Sequence, residues 1–195
     1  MKKEILLPGM TGFFSLILIV LLAGCSKKDD FAHNGHLSFQ IYLSSSSLSA
    51  NRELKSVNSD GFQVKIFDSG DKLIQSFDHA SEVPESLTLK PGSYYITASS
   101  NNNLPAAFSN PFYFGQTDVF TIVAGKTKEV SVVCKLSNIR VTVVYSDAVK
   151  ADFLAANTTV SNTTGNLVYA KDEARAGYFD AGPLTIVSEL TYLKG

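Results

Sequence analysis

The sequence predicts an all-β protein, built as two β-sandwiches in tandem with the second incomplete. Three observations carry this. Apolar residues recur with a period of two rather than the 3.6 of a helix. Turn residues (glycine, proline, aspartate, asparagine) interrupt the pattern at short, even intervals. The phase of the alternation also switches once, at Ser137-Asn138.

The first elements are not strands. Lys2 and Lys3 precede an apolar stretch from Phe13 to Leu22, the layout of a secretory signal, which is excluded from fold reasoning. Pro8, Gly9, Thr11 and Gly12 interrupt it too early for a membrane span, which needs roughly 20 mainly apolar residues. Leu22-Ala23-Gly24-Cys25 then resembles a bacterial lipobox, where the cysteine thiol is acylated and the chain is cut before it. Residues 1–24 are therefore read as a lipoprotein signal peptide, and 25–35 as a lipidated flexible tether. Lys28-Asp29-Asp30 resembles the export signal that sends Bacteroidota lipoproteins to the outer face of the outer membrane. Each buried methylene of an acyl chain contributes about 0.8 kcal/mol, so several chains hold the protein without a spanning helix.

A first sandwich is expected over 36–136. Leu37, Phe39, Ile41 and Leu43 alternate with polar residues or tyrosine. Phe62, Val64 and Ile66 do the same, and Asp68-Ser69-Gly70-Asp71 turns the chain into a partner strand from Leu73 to Phe77. Leu87 to Leu89 leads through Lys90-Pro91-Gly92, with the signature of a type II turn, into Ser93 to Ala98. Val119 to Val123, a turn at Ala124-Gly125-Lys126, and Glu129 to Leu136 close the set. Cys134 points with Val132 and Leu136 and reads as a small buried hydrophobe.

After Ser137-Asn138 the inward residues become Ile139, Val141, Val143 and Tyr145. A one-residue slip exchanges the two faces of a strand, so the chain passes here into a new sheet, and 137–195 is read as a second, partial sandwich. Leu167 to Tyr169 with Tyr178-Phe179 echoes the first hairpin, and Leu184 to Leu190 echoes Leu87 to Ala98. Asn157-Thr158-Thr159 and Asn162-Thr163-Thr164 read as a polar edge or loop. Counterparts of the last two strands are missing, and two explanations stand: a truncated chain, the favoured one, or a native groove whose open sheet edge is completed by a partner strand.

The strand pair around Asp68 to Asp71, followed by Leu89-Lys90-Pro91-Gly92-Ser93-Tyr94, resembles transthyretin-like (Ig-like) sandwiches. Further segments are Asp60 to Ile66, Pro111-Phe112-Tyr113-Phe114-Gly115 and Val133 to Val141. With the N-terminus, they resemble the Bacteroidota lipoprotein family catalogued as domain of unknown function four-four-nine-three. The resemblance implies a surface lipoprotein of tandem sandwiches, distantly similar to fimbrillin-type and fimbria-anchoring proteins. It implies no catalytic residues.

Composition bounds the chemistry. Without Lys2, Lys3 and Glu4 the chain carries 15 basic and 17 acidic side chains, a net charge of −2. No basic patch suits phosphates, so nucleic acid is excluded as an expected partner. His33 and His36 lie in the tether and His79 in a loop, with no third ligand at metal spacing. No nucleophile elbow, phosphate loop or dinucleotide fingerprint is present. No catalytic residue, metal or cofactor is expected beyond covalent lipid on Cys25. The remaining candidate contacts are aromatic. Phe112, Tyr113 and Phe114 follow Phe108 in a segment flanked by Pro105 and Pro111, and rings so placed can stack on sugars or anchor a protein. The expected function is that of a lipid-anchored, surface-exposed outer-membrane module for adhesion or interaction, fimbria-associated. The alternative is a glycan-binding lipoprotein assisting carbohydrate capture.

Overall fold

The computed structural model describes residues 34–44, 54–56, 61–100 and 102–192. Cys25, Lys28, Asp29 and Asp30 lie outside the described residues. The described residues form one compact unit.

Within it the chain is almost entirely strand. The first sandwich sets two sheets face to face. One contains β1 (Gly35–Ser44), with β10 (Thr127–Leu136) parallel to it on one side. On its other side β2 (Leu54–Ser56) and β5 (Leu87–Leu89) run antiparallel. The opposing sheet holds β3 (Phe62–Asp68), β4 (Leu73–Phe77), β6 (Gly92–Ser100), β8 (Tyr113–Gln116) and β9 (Phe120–Ile122). A short β10–β8 pairing, Lys135↔Phe114 and Leu136↔Tyr113, joins the two at one end. The predicted alternation builds the core: Leu37, Val64, Ile66, Ile96, Ile122, Val132 and Cys134 are all fully buried.

The turns follow local chemistry. Asp68 Oδ1 accepts from the backbone N–H of Gly70 at 2.9 Å and of Lys72 at 3.0 Å, and Asp71 takes the positive φ of 64°. Gly125 takes φ 68° in the β9–β10 turn. The expected type II turn at Lys90-Pro91-Gly92 does not form. It requires positive φ at Gly92, and Gly125 is the one glycine with positive φ among the described residues. Gly92 instead makes room: a Cβ there would lie 3.3 Å from the Tyr94 ring, whose hydroxyl donates to the Lys90 carbonyl at 2.8 Å.

The chain does change sheet where the phase switches. β11 (Ile139–Val141) pairs with β14 (Gly177–Phe179), which pairs in turn with β7 (Ala106–Phe108). Opposite them stand β13 (Asn166–Ala170), β12 (Phe153–Ser161) and β15 (Thr185–Tyr192), with β12 in the middle. Tyr169, Phe179 and Val160 are fully buried at the centre of this second core. Ala106 and Phe108, from the long connection of the first segment, pack against them. The Phe108 ring meets Tyr169 edge-on at 5.1 Å. A short helix α1 (Asp147–Asp152) starts at Ser146, whose side chain caps Val149 N–H.

Two readings of the second half are corrected. Asn157 to Thr159 belongs to the central strand β12, and Thr158 is 3% exposed. Leu167 to Tyr169 and Tyr178-Phe179 are not a hairpin, because β12 takes β13 as its partner and β14 lies in the opposing sheet.

Candidate functional site

The aromatic segment comes apart by strand geometry. Tyr113 and Phe114 are neighbours in β8, so their side chains leave opposite faces. Tyr113 packs on the first core and Phe114 is 40% exposed. Phe112, half-buried, has its backbone N–H held by Asn138 Oδ1 at 3.2 Å. The three rings therefore do not share one face. Phe108 enters the second core, where the Arg175 guanidinium lies 4.6 Å above its ring. An asparagine cluster fixes this segment. Asn102 Nδ2 donates to Asn110 Oδ1 at 2.8 Å, and Asn138 Nδ2 donates to the Asn110 carbonyl at 3.1 Å.

Grooves of about 440 and 350 Å³ flank residues 171–173. Two of the charges that line them already have partners. Lys171 Nζ donates to the carbonyls of Lys150 and Phe153, both at 3.2 Å, and Glu173 is paired with Arg175 at 2.6 Å. Among the described residues no group of three or more His, Cys, Asp or Glu is placed to hold a metal. Among them, too, no helix is long and apolar enough to cross a membrane.

The surface that stands out is β15. It forms the edge of its sheet, eight residues long, with one charge (Glu189) and no proline or lysine. Exposed edges are normally blunted by lysine, proline, bulges or shortness, because their unpaired N–H and C=O groups invite another strand. The edge strand β4 illustrates this, with five residues and a bulge against β3. β15 lacks such protection along Thr185 to Thr191, where its register with β12 is unbroken.

Its inward face is also bare. Ile186, Ser188 and Leu190 lie opposite Val160, Thr158 and Ala156 of β12, on the face that builds the core. The β12 residues are at most 3% exposed, whereas Ile186 is 61% and Leu190 46% exposed. Apolar surface adjoining a core and left open makes this face the candidate interaction surface. A hydrogen-bonded chain ties this strand to the core. Ser188 Oγ lies 2.8 Å from Thr158 Oγ1, and the Tyr145 hydroxyl lies 2.6 Å from Thr158 Oγ1 and 2.9 Å from the Tyr169 carbonyl. A carbonyl only accepts and each hydroxyl has one proton. The protons therefore run from Ser188 to Thr158, from Thr158 to Tyr145, and from Tyr145 to the carbonyl. Sequence reading marked Leu184 to Leu190 but missed the strand beside it, since β12 was hidden among threonines.

Comparison with known proteins adds the following. Two candidate adhesins from Bacteroides ovatus are similar in structure. One is 12% identical, with a TM-score of 0.44 over 80% of this chain and 71% of its own. The other is 9% identical, with a TM-score of 0.43 over 89% and 73%. The fimbrial anchor protein Mfa2 from Porphyromonas gingivalis is 11% identical, with a TM-score of 0.37 over 82% and 74%. No curated protein matches the chain. A family model does match, over residues 33–193, and the chain belongs to that family, described as Domain of unknown function (DUF4493).

Proposed function

We propose that this protein is a lipid-anchored module of the outer-membrane surface that binds other proteins by strand addition and has no enzymatic role. Association with fimbriae is the form of adhesion that the resemblance of the sequence implies. The observation that carries the reading is β15, an unguarded eight-residue edge whose inward face leaves Ile186 and Leu190 open. Strand addition supplies main-chain hydrogen bonds for affinity, and alternate side chains supply specificity. The Leu22-Ala23-Gly24-Cys25 motif supports the anchor, and Lys28-Asp29-Asp30 supports display on the outer face.

The test uses cells displaying the full-length chain. Ile186→Lys with Leu190→Lys places two charges on the bare face. Attachment, or co-purification with fimbriae, should fall at least tenfold, while labelled fatty acid still enters at Cys25. Undiminished attachment at equal surface levels excludes β15 as the contact surface. Label that persists in Cys25→Ser excludes the anchor.

A further inference from the structure

The edge of β15 has a chemistry that fits one partner better than others, and that partner is itself. Read from its centre, Thr185-Ile186-Val187-Ser188-Glu189-Leu190-Thr191 is a near-palindrome. Threonine sits at both ends, Ile186 and Leu190 are two steps either side of Ser188, and Val187 and Glu189 are adjacent to it.

We infer that β15 pairs antiparallel with β15 of a second copy about a two-fold axis at Ser188, joining two three-stranded sheets into one of six. The inference rests on the reading of β15 as the contact surface and names its occupant. A two-fold interface is self-complementary: if one residue touches another, the reverse contact also exists. Strand pleat restricts the register further. An axis between two residues would oppose an inward side chain to an outward one, so the axis must fall on a residue.

Among residue-centred registers, chemistry selects Ser188. Centring on Glu189 stacks two carboxylates directly opposite each other, which is destabilising. Centring on Val187 places Ile186 against Ser188, and centring on Leu190 places Ser188 against Tyr192. Both scatter the apolar residues and shorten the paired stretch. Centring on Ser188 opposes Ile186 to Leu190 twice on the bare inward face, with two hydroxyls between them. It opposes Glu189 to Val187 on the other face, so the one charge of the strand meets no like charge. It also pairs every residue from Thr185 to Thr191. The inward residues of the joined strands continue the face on which Ala156, Thr158 and Val160 are buried.

The register makes the test specific. Directly opposed residues in an antiparallel pair have Cα atoms about 4.5–5.5 Å apart, within the roughly 7 Å limit for a disulfide. Ser188→Cys in the mature chain from Ser26 should therefore oxidise to a covalent dimer under mild conditions. Ile186→Cys alone should not, because its own copy lies four residues along the strand, about 14 Å away at 3.4 Å per residue. An equal mixture of Ile186→Cys and Leu190→Cys should cross-link as a heterodimer. In sedimentation of the chain without added cysteines, Ile186→Lys with Leu190→Lys should raise the dimer Kd at least tenfold. Cross-linking by Ile186→Cys alone, or none by Ser188→Cys and none by the mixture, overturns the inference. So does a chain that remains monomeric up to millimolar concentration. If the lysine pair still abolishes cell attachment in that case, β15 contacts a different protein and the proposed function stands. If attachment is also unaffected, both fall.

Discussion

At the scale of single residues, burial decides which side chains are chemically available. Cys134 is fully buried, its Sγ 3.5 Å from the Ala98 carbonyl, and burial pushes its thiol up to about 11. The nucleophile is the thiolate, so alkylating reagents should leave Cys134 unmodified at neutral pH until denaturant is added. Rapid labelling of the native protein would place it at the surface instead. The folded state holds this proton more tightly than the unfolded one. The resulting stability is complete below about pH 9 and is lost as pH climbs toward about 11. Denaturant midpoints measured across that range should fall more steeply for the native chain than for Cys134→Ala. Glu173 has the opposite sign. Its hydrogen bonds with Arg175 hold its carboxyl at about 2, below the ordinary 4.5. Its contribution is present above pH 4.5 and is lost as pH falls through about 2. In Arg175→Ala the Glu173 carboxyl, followed by NMR, should titrate higher than in the native chain but still below 4.5, because the backbone N–H groups of residues 174 and 175 remain; a midpoint still near 2 would assign the shift to those backbone bonds rather than the guanidinium.

At the scale of elements, legibility tracked how cleanly a strand separates its two faces. β1, β3, β6 and β10 alternate apolar with polar residues and were readable, as was the change of sheet after Leu136. β12 was not, because its inward set is Ala156, Thr158 and Val160, and a buried threonine resembles an exposed one until its hydroxyl finds Tyr145 and Ser188. β8 was hidden by three consecutive aromatics that mask the period, and β7 is only three residues long. The identity of its partner is a long-range fact. Pairing of Phe108 with Gly177 depends on a glycine that leaves space for the Tyr169 hydroxyl. Phe108→Ala removes a ring that touches Tyr169 and Arg175 and should cost about 3 kcal/mol, the lower end for buried phenylalanines. Hydrogen exchange should locate the loss. Amides of β12, β13 and β14 should lose protection, whereas those of β3 and β6 should keep it. Equal loss in both sandwiches would mean that Phe108 supports the first core too.

At the scale of the whole molecule, the two sandwiches are successive in sequence but not independent in space. The β10–β11 passage divides the strands by sheet, yet β7 leaves the first segment to complete the sheet of β14 and β11. Backbone bonds extend that ladder at both ends, from Ser109 N–H to the Ala176 carbonyl at 2.8 Å and from Asp180 N–H to the Pro105 carbonyl at 3.1 Å. Without β7, β14 becomes an unpaired edge, and Tyr169 and Phe179 lose Ala106 and Phe108 from their shared core. A sheet reduced to two short strands has too little apolar cover for independent stability. Residues 137–195 produced alone should therefore lack dispersed amide signals and be digested quickly by protease. Residues 26–136 should retain a folded first core, because its buried side chains all come from strands before Ser137. Mixing the two fragments should restore protection to β12 through β14, since β7 is then available again, and Phe108→Ala in the longer fragment should weaken that rescue. A fragment 137–195 that folds unaided would show that β7 is dispensable and that the second sandwich carries its own stability.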